Sequence, residues 1–316
     1  MGPFPHDAAP PAISAANPMG TDGFEFVEYA HPEPEKLGVL FETMGFTKVA
    51  RHRSKQVTLY RQGDVNFVVN AEPDSFAQAF AAEHGPCACA MAFRVVDAKH
   101  AFERAVSLGA EPCEGAIGPG ELAIPAVRGI GGSLLYFVDR YGEKGSIWDV
   151  DFEWLGERGP HPEQAGLYYL DHLTHNVIRG RMDHWAGWYG KLFNFREIRF
   201  FNIEGKLTGL ISRALTSPCG KIRIPINESL DDRSQIEEYL RQYKGSMSRW
   251  ARATSMPASR LCAATACHSC LRPRRPITRR SMPACRTMAS RSSGSRPPAS
   301  CSMAKAQSRS ARNRAG

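Results

Sequence analysis

The chain has 316 residues, with 40 basic against 32 acidic side chains and a formal net charge of +8. That length accommodates two ordinary domains, and no apolar run reaches the length of a membrane span. The charge is segregated: residues 246–316 hold 14 Arg and one Lys but no Asp or Glu. The preceding body is therefore net acidic and has no electrostatic footprint for nucleic acid.

Residues 1–22, rich in Pro, Ala, Gly and Ser, predict a disordered leader. They lack the charged and apolar regions of a secretory signal. Gly2 is followed by Pro3, and position 6 is His6, so the myristoylation pattern fails as well. The body's cysteines, Cys87, Cys89, Cys113 and Cys219, have no C-x-x-C spacing. Their number is low for a disulfide scaffold, and a reducing cytoplasm is the expected location.

The pattern of elements then begins. Residues 24–29, with aromatic and β-branched side chains, predict a strand. Residues 35–44 have helical spacing and stop at Gly45, suited to a C-cap. Strands are predicted over 47–52, 57–61 and 65–70, the last two joined by the tight-turn signal Gln62-Gly63-Asp64. The order of strand, helix and further strands recurs. A strand over 89–96 and a helix over 98–108 precede strands near 121–127 and 133–139. After a Gly-, Pro- and charge-rich linker at 156–166, a third copy opens with a strand over 168–178. Its helix covers 181–192, and strands come next at 196–203, 209–214 and 221–227. Residues 235–243 read as a short connecting helix. A fourth copy should open just after Gly245, yet residues 246–316 have no sustained period of two or 3.6. Repetition of this kind implies units that bury their faces on one another.

The segment Asp171-His172-Leu173-Thr174-His175-Asn176-Val177 lies on the first strand of the third copy. Side chains alternate faces along a strand, which sets His172, Thr174 and Asn176 opposite Asp171 and Leu173. A lone His on a strand is most often structural, since a metal site needs three or four ligands together. His175 has the opposite parity and reads as structural, near the strand edge. His184, beside Trp185 on the helix, reads as a packing residue.

Three stretches carry a more specific signal: residues 170–177, residues 188–197 (WYGKLFNFRE) and residues 222–228 (IRIPINE), with QIEEYL at 235–240 in support. Residues 167–245 resemble the second domain of the 4-hydroxyphenylpyruvate dioxygenases, and residues 23–155 the metal-free first domain of that family. The resemblance implies a mixed α/β (α+β) fold of repeated βαβββ vicinal-oxygen-chelate units in two domains, the second incomplete. It implies Fe(II) held by two His and one Glu, the facial triad of non-haem iron oxygenases. It also implies 4-hydroxyphenylpyruvate and O2 as substrates, with homogentisate and CO2 as products, in tyrosine and phenylalanine catabolism. Intact relatives assemble as homo-oligomers. On this resemblance His172 is the first iron ligand. Ser212, Asn227 and Gln235 match polar pocket residues that hydrogen-bond the substrate, for which neutral hydroxyl and amide groups suit because they do not titrate near pH 7. Strand and turn capping is the alternative use of Ser212 and Gln235. Pro225 shapes the strand beneath Asn227.

The family's second His and its Glu are not found after Tyr243-Lys244-Gly245. Residues 246–251 (SMSRWA), written in GC-rich codons as AGC ATG TCG CGG TGG GCA and read one base earlier behind an added C, become Gln-His-Val-Ala-Val-Gly. The same shift over residues 277–294 yields an acidic stretch like the family's next loop. A reading-frame slip near Gly245 is the implied cause, which makes residues 246–316 a basic, disordered, out-of-frame tail. His268 with Cys267-x-x-Cys270 lacks the second pair a zinc site needs. The Arg-rich run at 272–280 supports only non-specific, salt-sensitive RNA contacts. The expectation is thus a dioxygenase by descent whose metal grip is incomplete, behaving as a binding remnant with an exposed strand edge. A hydroxymandelate-synthase-like dioxygenase is the alternative, since it shares substrate and iron triad.

Overall fold

The structure, a computed structural model, describes residues 11–255 apart from positions 114, 116, 159–161, 163, 164 and 205–208. Two sheets organise this region. The first uses β1 (Thr21–Ala30), β2 (Thr47–His52), β3 (Val57–Gln62), β4 (Val65–Asn70), β5 (Cys87–Val95), β6 (Pro112–Cys113), β7 (Ala126–Arg128), β8 (Leu134–Val138) and β9 (Phe152–Trp154). Its strand order is β6-β7-β8-β5-β1-β4-β3-β2-β9. Helices α1 (Pro34–Thr43), α2 (Phe76–His84), α3 (Ala98–Ser107) and α4 (Trp148–Asp151) belong to the same half. The second sheet holds β10 (Leu167–Val177), β11 (Arg196–Glu204), β12 (Gly209–Thr216), β13 (Arg223–Ser229) and β14 (Met247–Ser255), with α5 (Met182–Phe193) and α6 (Gln235–Gln242). Its order is β11-β12-β13-β10-β14.

The repeat read from the sequence is a repeat of pairing. β1 lies parallel to β4 and antiparallel to β5. β10 lies parallel to β13 and antiparallel to β14. A βαβββ unit buries one face of its sheet under its helix, and successive units join through their first strands. Helices end at residues suited to the left-handed region. Gly45 (φ +87°) and Gly109 (φ +93°) lie just past α1 and α3, and Asn194 (φ 57°) closes α5 in the left-handed region.

Two expectations need correction. The leader was expected to be disordered through residue 22. Instead Asn17 Oδ1 accepts hydrogen bonds from the Thr21 amide at 2.9 Å and the Thr21 hydroxyl at 3.0 Å, and Met19 is fully buried. Residues 1–10 lie outside the described region. The tail was expected to be without structure from Ser246, yet Met247–Ser255 forms β14 along the free side of β10. An unpaired strand edge is a strong template for any neighbouring chain, and here it outweighs weak periodicity. β10 is therefore paired on both sides, and among the described residues the edge strands of the second sheet are β11 and β14. Residues 256–316, with the Cys267/Cys270/His268 group and the Arg-rich run, lie outside the described residues. The helix α2 and the strand β9 had not been expected from the sequence.

The two sheets share one core. Phe193 and Phe195 of the second half pack on Phe93 of the first at 5.5 and 6.1 Å between ring centroids. Phe193 is fully buried, a burial worth about 1.5–3 kcal/mol. Polar straps add direction. Gln62 Oε1 accepts from the Leu167 amide at 2.9 Å, and the Asp64 amide donates to the Tyr168 carbonyl at 3.0 Å. Lys221 Nζ meets Asp22 at 2.5 Å. Among the described residues no helix is long and apolar enough to cross a membrane, and the four body cysteines are unpaired.

The close approach at Gly63 generates a test. Its φ is +52°, and an added Cβ would meet Tyr168 Cα at 2.4 Å and Leu167 O at 2.7 Å. Gly63→Ala should cost about 1–3 kcal/mol, read as a lower urea midpoint. An unchanged midpoint would mean that the strap does not carry the junction.

Candidate active site

β10 positions the candidate metal ligand. It lies between β13 and β14, so both its edges are paired, and its two faces have different surroundings. Leu173 and Val177 are buried in the core. His175, fully buried between them, hydrogen-bonds through Nε2 to the Tyr189 hydroxyl of α5 at 2.7 Å and stacks on that ring. Burial holds the His175 imidazole down to about 3, far below its ordinary value of 6.5. It is a neutral structural residue, as its parity implied, but it is sealed under α5 on a central strand rather than near an edge. His184 is exposed on α5, its ring edge-on to Trp185 at 5.1 Å.

His172 departs from simple alternation. Its Nδ1 lies 2.7 Å from Asp171 Oδ2, and the other oxygen of Asp171 accepts from Arg223 Nη1 at 2.7 Å. Adjacent residues of a regular strand could not meet in this way. The pairing with β14 shifts register on both sides of His172, at Leu170/His172 and at His172/Leu173. Such an irregularity turns neighbouring side chains towards one another. Asp171 was expected on the opposite face, and this irregularity is why it instead orients the His172 ring. A carboxylate on one imidazole nitrogen leaves the other nitrogen for a ligand, the arrangement common behind metal-bound His.

The pocket residues come from a cross-strand row. Phe201 of β11 pairs with Ser212 of β12, Ser212 with Asn227 of β13, and Asn227 with Asn176 of β10. Asn227 Nδ2 donates to Asn176 Oδ1 at 3.4 Å. Ser212 and Asn176 are buried, at 7% and 1% exposure. The structure thus brings Ser212 and Asn227 together and adds Asn176, which was not singled out in the sequence as a pocket residue. The signal was present, since Asn176 shares the expected parity of His172 on the same strand.

Gln235 is not brought into this row. It is the first residue of α6 and is exposed, and the cap of that helix is Ser234, whose Oγ accepts from the Glu237 amide at 3.2 Å. Pro225 pairs with Ala214, one residue before the β10 ladder begins at Ile226. Its missing N–H thus falls at the end of that ladder. Glu228 accepts from the Met182 amide at 3.0 Å, placing a carboxylate at the start of α5, where the helix dipole favours it.

Among the described residues no three His, Cys, Asp or Glu side chains are grouped to hold a metal ion. His172, backed by Asp171, supplies one imidazole. One imidazole does not fit Fe(II), whose binding rests on several positioned ligands acting together.

The Hydroxyphenylpyruvate dioxygenase, HPPD, N-terminal family profile matches residues 15–153. The chain is 62% identical over 238 residues to "Hemolysin VllY" of Vibrio vulnificus, covering 74% of this chain and 66% of that protein. It is 58% identical over 236 residues to a 4-hydroxyphenylpyruvate dioxygenase of Pseudomonas aeruginosa, with the same coverage of each. The chain therefore spans just under two thirds of the length of these curated relatives. Among solved structures, a xylose isomerase-like TIM barrel/4-hydroxyphenylpyruvate dioxygenase fusion protein superposes with a TM-score of 0.59 at 38% identity, over 76% of this chain and 36% of that one. A mutant 4-hydroxymandelate synthase from Streptomyces coelicolor superposes with a TM-score of 0.61 at 21% identity, over 76% and 70% of the two chains, a likeness of fold.

The buried His175 sets a pH dependence. Its folded-state value lies below the unfolded one, so between about 6.5 and about 3 the unfolded chain binds the extra proton. Its contribution to stability is complete above that range and is lost as pH falls through it. Replacing it by His175→Gln should cost about 1–3 kcal/mol at neutral pH through the lost Tyr189 bond. Urea midpoints of the variant should fall less steeply than those of the parent between pH 6.5 and 3, and parallel profiles would contradict the assignment.

Proposed function

The chain belongs to the 4-hydroxyphenylpyruvate dioxygenase family of the vicinal-oxygen-chelate superfamily, and on that premise we propose that it is the substrate-pocket portion of an Fe(II)-dependent dioxygenase whose metal grip is interrupted at Gly245. In this reading the parent enzyme decarboxylates 4-hydroxyphenylpyruvate and hydroxylates its ring with O2 to give homogentisate. His172 is the first of its three iron ligands, and Asp171 fixes the ring of that histidine. Ser212 and Asn227 hydrogen-bond the substrate. Gln235 is kept as a third pocket residue on resemblance alone, since its exposed position at the start of α6 gives it no contact with the other two among the described residues.

The observation that carries the proposal is the pairing of an oriented, half-buried imidazole with a row of neutral polar side chains on one sheet, Ser212 and Asn176 buried and Asn227 partly so. Such groups bind an uncharged or oxygen-rich ligand without titrating near neutrality. The interruption rests on the ligand count: no second His or Glu ligand can be matched after Gly245. The chain as it stands retains the pocket and lacks the chelate, so it binds without turning over. Reading the gene across the Gly245 codon tests the frame slip directly.

Oxygen uptake tests the rest. The purified chain with Fe(II), ascorbate and 4-hydroxyphenylpyruvate should consume no oxygen above the protein-free rate. A version with the frame restored after Gly245 should consume oxygen and release homogentisate. Turnover by the chain as it stands would refute the interrupted grip, and a silent restored version would refute the dioxygenase reading.

A further inference from the structure

Native sheets blunt their edges with short strands, Pro or Lys. The first sheet does so: its edge strands β6 and β9 have two and three residues. β11, an edge strand of the second sheet, has nine residues, no Pro, no Lys and no net charge. Among the described side chains, every large apolar one that is exposed on a strand belongs to it: Ile198, Phe200, Phe201 and Ile203, between 38% and 53% exposed. They lie on both faces. Phe201 and Ile203 pair with Ser212 and Leu210, whereas Phe200 pairs with Arg213, which reaches Asp183 of α5 at 2.7 Å on the other face. A helix laid on one face would leave the other bare, but a strand added at the edge covers both.

The first half shows what fits such an edge. β2 is the counterpart of β11, each following the first helix of its half and pairing antiparallel with the next strand. On the outer side of β2 lies β9, antiparallel, with Phe152 and Trp154 flanking a Glu153 that bridges Arg51 at 2.9 Å. Among the described residues no strand takes that place on β11. β11 carries the complementary set itself: Phe200 and Phe201 at its middle, Arg196 and Arg199 in its first half and Glu204 at its end. Glu197 is already held by Arg213 at 2.9 Å. A second copy running antiparallel sets the basic start of each strand by the acidic end of the other, twice over by symmetry, whereas parallel copies set like ends together. Going beyond the dioxygenase reading, we propose that two copies of this chain pair antiparallel through β11, joining their five-stranded sheets into one across a two-fold axis. The opposite-charge ends fix the direction and the rings supply the burial.

The test uses sedimentation equilibrium of the full chain. It should show a reversible monomer–dimer equilibrium with a micromolar dissociation constant, the weak end of the range for protein interfaces. Hydrogen exchange over residues 196–204 should slow as concentration rises through that range. Phe200→Lys and Ile203→Lys place a charge on the edge and should each weaken dimerisation at least about ten-fold. Arg196→Glu and Glu204→Arg should each weaken it about three- to ten-fold by setting like charges together, and the double variant should return to within about two-fold of the parent. A merely adhesive apolar surface would not give that rescue. Circular dichroism shows which variants fold, and the exchange experiment on the parent chain needs none of them. A monomer at all concentrations up to about 100 μM, assemblies that grow past the dimer, or a dimer indifferent to the lysines and the charge reversals would each overturn the inference. The dioxygenase reading makes no demand on this edge and is decided separately, by oxygen uptake of the frame-restored version.

Discussion

The pairing of β10 on both sides is the constraint on which the rest of the second half depends. With β13 along one edge and β14 along the other, the strand cannot slip by one residue without turning its core side chains outward. That register puts Leu173, His175 and Val177 in or against the core and aligns Asn176 with Asn227 and Ser212. The break in register at His172 is equally consequential. It brings Asp171 onto the imidazole and, through Arg223, ties the candidate ligand to β13.

Much of this was legible in the chain. The strands Thr47–His52 and Val65–Asn70 have the bounds their alternation implied, and Gly45 ends a helix where the sequence placed a stop. The helix Phe76–His84 has a local start signal: Ser75 caps it by accepting from the Gln78 amide at 3.2 Å, a Ser-x-x-Gln pattern. The strand near 121–127 shrank to Ala126–Arg128, which begins directly after Pro125, a residue that cannot donate to a ladder. The contact between Asp171 and His172 could not be read locally, because a register shift depends on which strand lies alongside. Asn176 was visible as a neighbour of His172 by parity, but its bond to Asn227 emerges only once β13 is placed beside β10.

The segment beyond Gly245 shows how far neighbouring structure governs a weak local signal. Residues 247–255 (MSRWARATS) have little regular alternation, yet they pair with β10 along most of its length. In the first half the same position is taken by β5, which continues into α3 and pairs in parallel with β8. An acceptor edge formed by one unit accounts for a strand at that place in both halves. It does not supply chemistry, because ligand identity belongs to the sequence and no acidic residue is present after Gly245.

On the proposed reading His172 is a metal ligand separated from its partners, and metal affinity tests that reading most directly. Titration of the chain with Co(II), monitored by its visible absorption, should give no saturable one-to-one site, whereas the frame-restored version should give one that His172→Ala abolishes. A saturable site in the chain as it stands, lost in its His172→Ala variant, would contradict the account.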